Sequence, residues 1–427
     1  MLYFCHRHAQ ALICLQAMKT EEKYSRNMSY REYKSPKRQQ REIKDQRRRK
    51  KSNGDITSPP DKSLIIIVVF LVIIGFLAIF STTAPKCMRE GINLASFLLK
   101  QGFFATIGFF LMAWFANYDY KRLEKYNLKF LWFVVALLAI VKFTSLGLEI
   151  NGAKRWINLG FMQLQPSEFA KPLFCMLLAS MFKDKIDLSI FAKRNLLNYI
   201  LPMLFIIFLI LKQPNLSMAI ILCMTTLALY IAGKGPWQPI FAGLGALVFV
   251  IATKLPKLLQ GYQMDRITVW LNPGSDAQGK GYNIIQSLIA FASGGFSGTG
   301  YGASIQKLAY LPECHTDFIF AIIAEEFGFL GSIFVLGLFM ALVHRGMRIA
   351  RRCPDMYGKL LAIGITFVFG FQAFLNMSVA SSFMPVTGVT LPFISYGGTS
   401  IVVSLAMIGI LLNISRQRIK RIRTEGN

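Results

Sequence analysis

The sequence is short of charge: only 16% of its 427 residues are Asp, Glu, Lys or Arg, against about a quarter in an ordinary soluble domain. Stretches of roughly twenty residues carry almost none, which excludes a single core coated with polar residues and suits segments that cross a bilayer of about 30 Å. Acidic residues are scarcer than basic ones, 22 against 48, and histidine is nearly missing, with four. The seven cysteines show no metal-ligand or redox spacing. Cys175 and Cys223 fall inside apolar runs as packing residues. Cys87 and Cys314 fall on one predicted side, where a disulfide is conceivable, although nothing in the sequence places them within bonding distance. The apolar runs do not alternate with polar residues, so a membrane β-barrel is excluded, and an open sheet cannot leave its edges in lipid.

What is present is a net charge of +26, and its placement decides its meaning. Much of it lies in residues 1–62, with Arg47, Arg48, Arg49, Lys50 and Lys51 in one run. The remainder sits mainly in short loops between apolar spans, as the positive-inside rule produces. This points to membrane topology and anionic lipid rather than to nucleic acid. Residues 1–62 read as a mostly disordered cytoplasmic tail. Ten apolar spans follow, at 63–83, 93–117, 128–147, 166–182, 196–212, 216–233, 238–255, 318–343, 360–382 and 389–414. The predicted fold is an all-α integral membrane protein of about ten transmembrane helices, with a membrane domain over 63–415, a large extracytoplasmic loop at 256–317 between helices 7 and 8, and a basic cytoplasmic terminus at 416–427. Lys121, Arg122, Lys183, Arg194, Arg345, Arg352 and Arg421 then fall on the side of the tail, so both termini are cytoplasmic.

Two outer segments stand out. The loop 256–317 is long and rich in glycine, at Gly274, Gly279, Gly281, Gly294, Gly295, Gly298, Gly300 and Gly302, which permits tight turns and close approach to a ligand. The segment 148–165 carries Lys154 and Arg155 on the side the charge rule disfavours; an anionic ligand or lipid headgroups would compensate them. Asp317 closes the polar loop where the apolar run Phe318-Ile319-Phe320 begins, so its carboxylate meets the positive end of a helix. It is either a catalytic carboxylate or a plain helix cap. Glu325 and Glu326 lie about two turns deeper. Glu168 and Lys171, three residues apart, share a helix face and can pair. These buried groups read as a structural network or, alternatively, as a proton path. No nucleotide loop, metal triad or serine-histidine-aspartate set is present.

Three segments carry a resemblance. They are Asn151-Gly152-Ala153-Lys154-Arg155-Trp156-Ile157-Asn158-Leu159-Gly160 with Gln165-Pro166-Ser167-Glu168 and Lys171; Gln306-Lys307-Leu308-Ala309-Tyr310-Leu311-Pro312-Glu313 with His315-Thr316-Asp317-Phe318 and Glu325-Glu326; and Pro385-Val386-Thr387-Gly388 with Leu391-Pro392-Phe393-Ile394-Ser395-Tyr396-Gly397-Gly398. The sequence resembles the SEDS (shape, elongation, division and sporulation) family of bacterial membrane glycosyltransferases, over nearly everything after residue 62. Lys307 with Tyr310 looks more like its FtsW and SpoVE branch than its RodA branch.

The resemblance implies polymerisation of lipid II, the undecaprenyl-pyrophosphate-linked precursor of peptidoglycan, in the bacterial inner membrane and at the division septum. It places the essential acid at Asp317. It also implies a class B penicillin-binding protein and other division proteins as partners. Lys154, Arg155, Arg266 and Lys307 are then candidate pyrophosphate ligands, with Glu313, His315, Ser395 and Tyr396 beside the substrate. Glu168, Lys171, Glu325, Glu326, Gly397 and Gly398 would shape the cavity. No metal-ligand set is evident, and a divalent cation, Mg2+ or Mn2+, is left open. The turn Gln213-Pro214-Asn215 departs from the Gln-Pro-Asp common in the family. A lipid II flippase and a non-catalytic division scaffold are the alternatives.

Overall fold

The computed structural model describes residues 59–417 apart from 92, 151–152, 159, 161–162, 184–195, 236–267, 278, 280 and 309. The basic tail, the span expected at 238–255 and Arg266 lie outside the described residues, as does the terminus beyond 417. The chain is a mostly helical, multi-pass membrane protein. In order come α1 (Lys62–Glu90), α2 (Leu94–Asn117), a short turn and α3 (Asn127–Phe143), then strands β1 (Gly147–Ile150), β2 (Ala153–Asn158) and β3 (Gln163–Leu164). They are followed by α4 (Ala170–Lys183), α5 (Leu201–Lys212), α6 (Leu216–Ala232), α7 (Tyr282–Gly294), α8 (Ile319–Arg352), α9 (Met356–Ala380) and α10 (Gly398–Arg416). Among the described residues, six helical segments are long and apolar enough to cross a membrane: α1, α2, Tyr120–Phe143, α8, α9 and α10.

Helix ends meet at two opposite sides of the bundle. At one side Asp61 caps α1, its backbone N–H donates to Ser415 Oγ of α10 at 3.1 Å, and its carboxylate faces Arg345 of α8 at 3.8 Å. Tyr120, in the turn after α2, donates its N–H to Asn413 Oδ1 and its hydroxyl to Asp355 at the start of α9. Lys183, at the end of α4, pairs with Glu124 in that same turn. Chain direction therefore alternates across the bundle as the spacing of basic loops predicts.

The opposite side holds the departures from the expected all-α fold. The three strands form an antiparallel sheet in the order β1-β2-β3. β1 and β2 pair antiparallel, with Ile150 opposite Ala153 and Gly147 opposite Ile157. Ala153 and Ile157 are buried while Lys154 and Asn158 are exposed, the two-residue alternation of a half-covered strand. The loop expected at 256–317 contains α7. The last span begins at Gly398 rather than 389. Residues 389–397 are apolar but not helical, because Pro392 lacks a donor and Phe393 adopts φ 67°. The carbonyls of Val389 and Thr390 accept from the Asn376 and Gln372 side chains of α9, and Tyr396 N–H donates to His315 O.

A break in α8 shows the same rule. Gly328 sits at φ 64°, ψ −160° and divides the helix. The end of α7 is stitched across the break. Thr299 and Gly300 donate to Glu325 O and Glu326 O at 3.0 Å, and Phe329 and Leu330 donate to Gly295 O and Phe296 O at 3.0 and 3.3 Å. The glycines of this loop serve close approach of backbone to backbone: a Cβ on Gly294 would strike Ala324 O, and one on Gly298 would strike Glu326 O. Cys87 and Cys314 are buried free thiols, so no disulfide joins them.

This crossing predicts a contrast. Gly298→Ala is expected to destabilise the protein by on the order of 2 kcal/mol, from strained backbone and the lost stitch. Gly102→Ala, in α2 with nothing within 4 Å of an added Cβ, is expected to be neutral or to stabilise by about 0.5–1 kcal/mol. Thermal unfolding of both variants in detergent checks this; equal midpoints would refute it.

Candidate active site

Asp317 precedes α8, but the residue at the cap position is Phe318, which makes no side-chain cap. A turn begun by Glu313 at φ 53° carries the chain into the helix, with Glu313 O accepting from Thr316 and Asp317 N–H, both at 3.2 Å. The Asp317 carboxylate turns toward Gly388, where Oδ2 lies 3.3 Å from the place a Cβ would occupy. Arg155 Nη1 lies 4.0 Å from the same point. A carboxylate and a guanidinium from segments more than 150 residues apart thus converge over one glycine. A side chain at 388 would fill the space between them.

Each partner is fixed by its neighbours. Arg155 extends from β2 and donates through Nε to Gln213 O at 3.2 Å and through Nη2 to Pro214 O. It therefore braces the Gln213-Pro214-Asn215 turn between α5 and α6. Asn215 donates to Ser167 Oγ at 3.3 Å, so the amide that stands there takes part in packing. On the other side, Asn376 of α9 donates to Asp317 O at 2.8 Å and to Val389 O at 2.6 Å. Gln372, one turn earlier, donates to Thr390 O at 2.9 Å. Sequence reasoning missed both amides. The available signal was two polar side chains four residues apart in an apolar helix, hence on one face.

The remaining candidates divide by what they touch. Ser395 is buried: its hydroxyl donates to Thr316 O at 2.6 Å and accepts from Leu391 N–H, locking 391–395 to the Asp317 turn. Tyr396 donates its N–H to His315 O at 3.0 Å, and its ring packs against His315 and Phe97. Burial pushes the His315 imidazole below its ordinary value, against the opposing pull of Glu313. Gly397 donates to Gln101 Oε1 at 3.3 Å, and Gly398 lets α10 approach Phe104 of α2. Lys154 is exposed on β2.

Lys307, expected to hold pyrophosphate, is instead buried and paired. Its Nζ lies 2.7 Å from Glu326 Oε1 and 2.8 Å from Ser81 Oγ. Glu325 accepts from Ser304 Oγ and from Ile305 N–H at 2.9 Å. Both carboxylates thus hold the 299–308 loop against α8 and α1. The Glu168–Lys171 pair predicted from spacing is present at 2.6 Å, and Lys171 donates on to Gln372 Oε1 at 2.9 Å. A groove of about 570 Å³ opens between α1 and the loop, lined by Phe80, Ser81, Met88, Arg89, Tyr301 and Lys307. Among the described residues, no three His, Cys, Asp or Glu side chains are grouped to hold a metal ion.

Breaking a buried pair leaves one charge uncompensated. Lys307→Met is therefore expected to destabilise the protein by roughly 3–5 kcal/mol, and adding Glu326→Leu to recover much of the loss. Thermal unfolding of the single and double variants measures this coupling; additive losses would contradict it.

Comparison with known proteins places this arrangement. The FtsW/RodA/SpoVE family of cell cycle proteins matches residues 61–420. The chain is 38% identical over 346 residues to a probable peptidoglycan glycosyltransferase FtsW of Trichlorobacter lovleyi, covering 81% of this chain and 90% of that one. It is 37% identical over 354 residues to the stage V sporulation protein E of Bacillus subtilis, covering 81% and 94%. Two solved structures share its fold. One, at TM-score 0.70 and 30% identity, covers 84% of this chain and 99% of its own, and concerns the coordination of polymerization and crosslinking by a peptidoglycan synthase complex. The other is the rod shape determining protein RodA of Thermus thermophilus, at TM-score 0.61 and 28% identity, covering 84% and 98%. With matched motifs spread from β2 to α10 and the fold shared over the same length, the chain belongs to the FtsW/RodA/SpoVE family.

Proposed function

We infer that this protein is a peptidoglycan glycosyltransferase that polymerises lipid II into glycan strands during cell division. The observation that carries the site assignment is the convergence of the Asp317 carboxylate and the Arg155 guanidinium over Gly388. In this reading ten spans cross the bacterial inner membrane with both termini on its cytoplasmic side, and the convergence lies at the outer face, beside the lipid II headgroup. The basic residues clustered at the opposite side of the bundle support this orientation.

Asp317 takes the proton from the acceptor sugar hydroxyl. The acceptor oxygen forms a bond to the anomeric carbon of the donor. The bond from that carbon to the diphosphate oxygen breaks, and the lipid diphosphate leaves with the electron pair. Arg155 stabilises the charge that develops on the leaving group, with Nη1 the guanidinium nitrogen beside Gly388. Lys154, on the adjacent strand position, adds long-range attraction. The groove along α1 admits a lipid chain. A divalent ion held by the diphosphate oxygens would neutralise charge on the leaving group, and Asp317, as the proton acceptor, would not be its ligand.

A class B penicillin-binding protein is the proposed partner, in keeping with the peptidoglycan synthase complex that shares this fold. The flippase reading loses support because Glu168, Glu325 and Glu326 are each bonded to local partners.

Asp317→Asn is expected to abolish glycan synthesis while the protein stays folded. Arg155→Lys is expected to impair activity more than Lys154→Arg, since an ammonium cannot reproduce the guanidinium fork. Arg155→Ala is expected to weaken lipid II binding by roughly 1.5–3 kcal/mol, the worth of a hydrogen bond to a charged group. Polymerisation and direct binding assays with purified variants test these; substantial glycan synthesis by Asp317→Asn would remove that residue from its role.

A further inference from the structure

Asn376 lies in α9, 1% exposed, between two segments that are remote in sequence. A side-chain amide has two N–H donors and one carbonyl oxygen. Here the nitrogen serves Asp317 O at 2.8 Å and Val389 O at 2.6 Å. The first carbonyl belongs to the residue whose carboxylate faces Gly388. The second belongs to the residue immediately after Gly388. One amide group therefore spans the two backbones whose separation sets where the carboxylate stands relative to the glycine and to Arg155.

The oxygen of the same amide is buried with no hydrogen-bond partner among the described residues. A buried acceptor without a partner is unfavourable, and an apolar side chain of the same shape would avoid that cost. Packing alone gives no reason for an amide at this place; its two donors do. Gln372, one turn earlier, holds the next carbonyl, Thr390 O, and its own oxygen is held by Lys171. The 388–390 backbone is thus gripped from α9 at two successive residues. Only the Asn376 grip also reaches Asp317.

We propose that Asn376 is a positioning residue for the glycosyl transfer: its amide nitrogen fixes the Asp317 backbone to Val389 and so holds the carboxylate at its working distance from Gly388 and Arg155. This rests on Asp317 being the proton acceptor. A positioning residue governs the rate of the bound complex rather than its formation, since displacement of a catalytic group by about 1 Å costs up to roughly 100-fold in rate. The groups that would meet lipid II remain in place when Asn376 is changed, so affinity is largely retained.

The test uses full-length protein in detergent or proteoliposomes, with lipid II as substrate. Three variants are compared: Asn376→Leu, Asn376→Ser and, as a separate control on the proton acceptor, Asp317→Asn. Rates are expressed per folded molecule, as counted by size-exclusion chromatography. Asn376→Leu keeps the shape but has neither donor nor orphan oxygen. It is expected to lose roughly 10–100-fold in kcat, with KM for lipid II within about threefold. Asn376→Ser retains one O–H donor and is expected to fall between Leu and the parent. If Asn376→Leu yields no folded protein, the Ser variant decides alone, by a lowered kcat at unchanged KM. Parental kcat in the Leu variant, or in the Ser variant where only that folds, overturns the inference, as does a loss confined to KM. Activity retained by Asp317→Asn is a separate outcome: it overturns the proton-acceptor reading and the positioning role with it.

Discussion

A backbone that leaves helical geometry inside a membrane loses its water partners and must find every hydrogen bond within the protein. In this molecule the constraint acts where the proposed chemistry sits. The turn 313–318, the segment 385–397 and the turn 213–215 are all irregular, and none of them is self-sufficient. Ser395 joins the first two through Thr316 O, Tyr396 joins them again through His315 O, and Asn376 ties Asp317 to Val389. Arg155 closes the third segment against β2. The requirement for satisfied backbone thereby becomes a means of fixing a carboxylate and a guanidinium beside one glycine. Preorganisation of this kind spares the reorganisation that charged groups would otherwise undergo during reaction.

Buried charge obeys the same economy. Lys307 and Glu326 pair at 2.7 Å, and Lys171 and Glu168 at 2.6 Å, in both cases with almost no exposure. Such pairs add little net stability, because desolvation offsets their attraction. Their value here is geometric. Lys307–Glu326 holds the 299–308 loop beside the Gly328 break, where α7 crosses α8. Lys171 orients Gln372, whose amide then grips Thr390 O. The second pair therefore bears on the segment beside Asp317 without supplying a group to it.

The apolar runs made the membrane fold legible, because hydropathy over twenty residues reports bilayer crossing directly. The Glu168–Lys171 pair was legible because helical spacing alone puts those residues on one face. Asp317 was visible as a carboxylate at a helix entry and Arg155 as a cation on the side the charge rule disfavours, but their convergence was not, since it depends on Gly388 and on a sheet that hydropathy does not report. The pairing of Lys307 was not legible for a related reason. A lysine in an outer loop reads as exposed, and only the fold of 299–308 back onto α8 brings Glu326 to it. Residues 389–397 read as helix because they are apolar, whereas Pro392 and the side-chain donors of α9 make a non-helical course possible.

The enzyme reading and the transporter reading differ in what becomes of lipid II. The most direct measurement reconstitutes the purified protein in proteoliposomes with fluorescent lipid II, alone and with a class B penicillin-binding protein. Products are resolved by gel electrophoresis while transbilayer movement of the lipid is followed in parallel. The account predicts a ladder of glycan chains, strengthened by the partner and absent without the protein. Movement of lipid II between leaflets with no polymer formed, in either preparation, would contradict it.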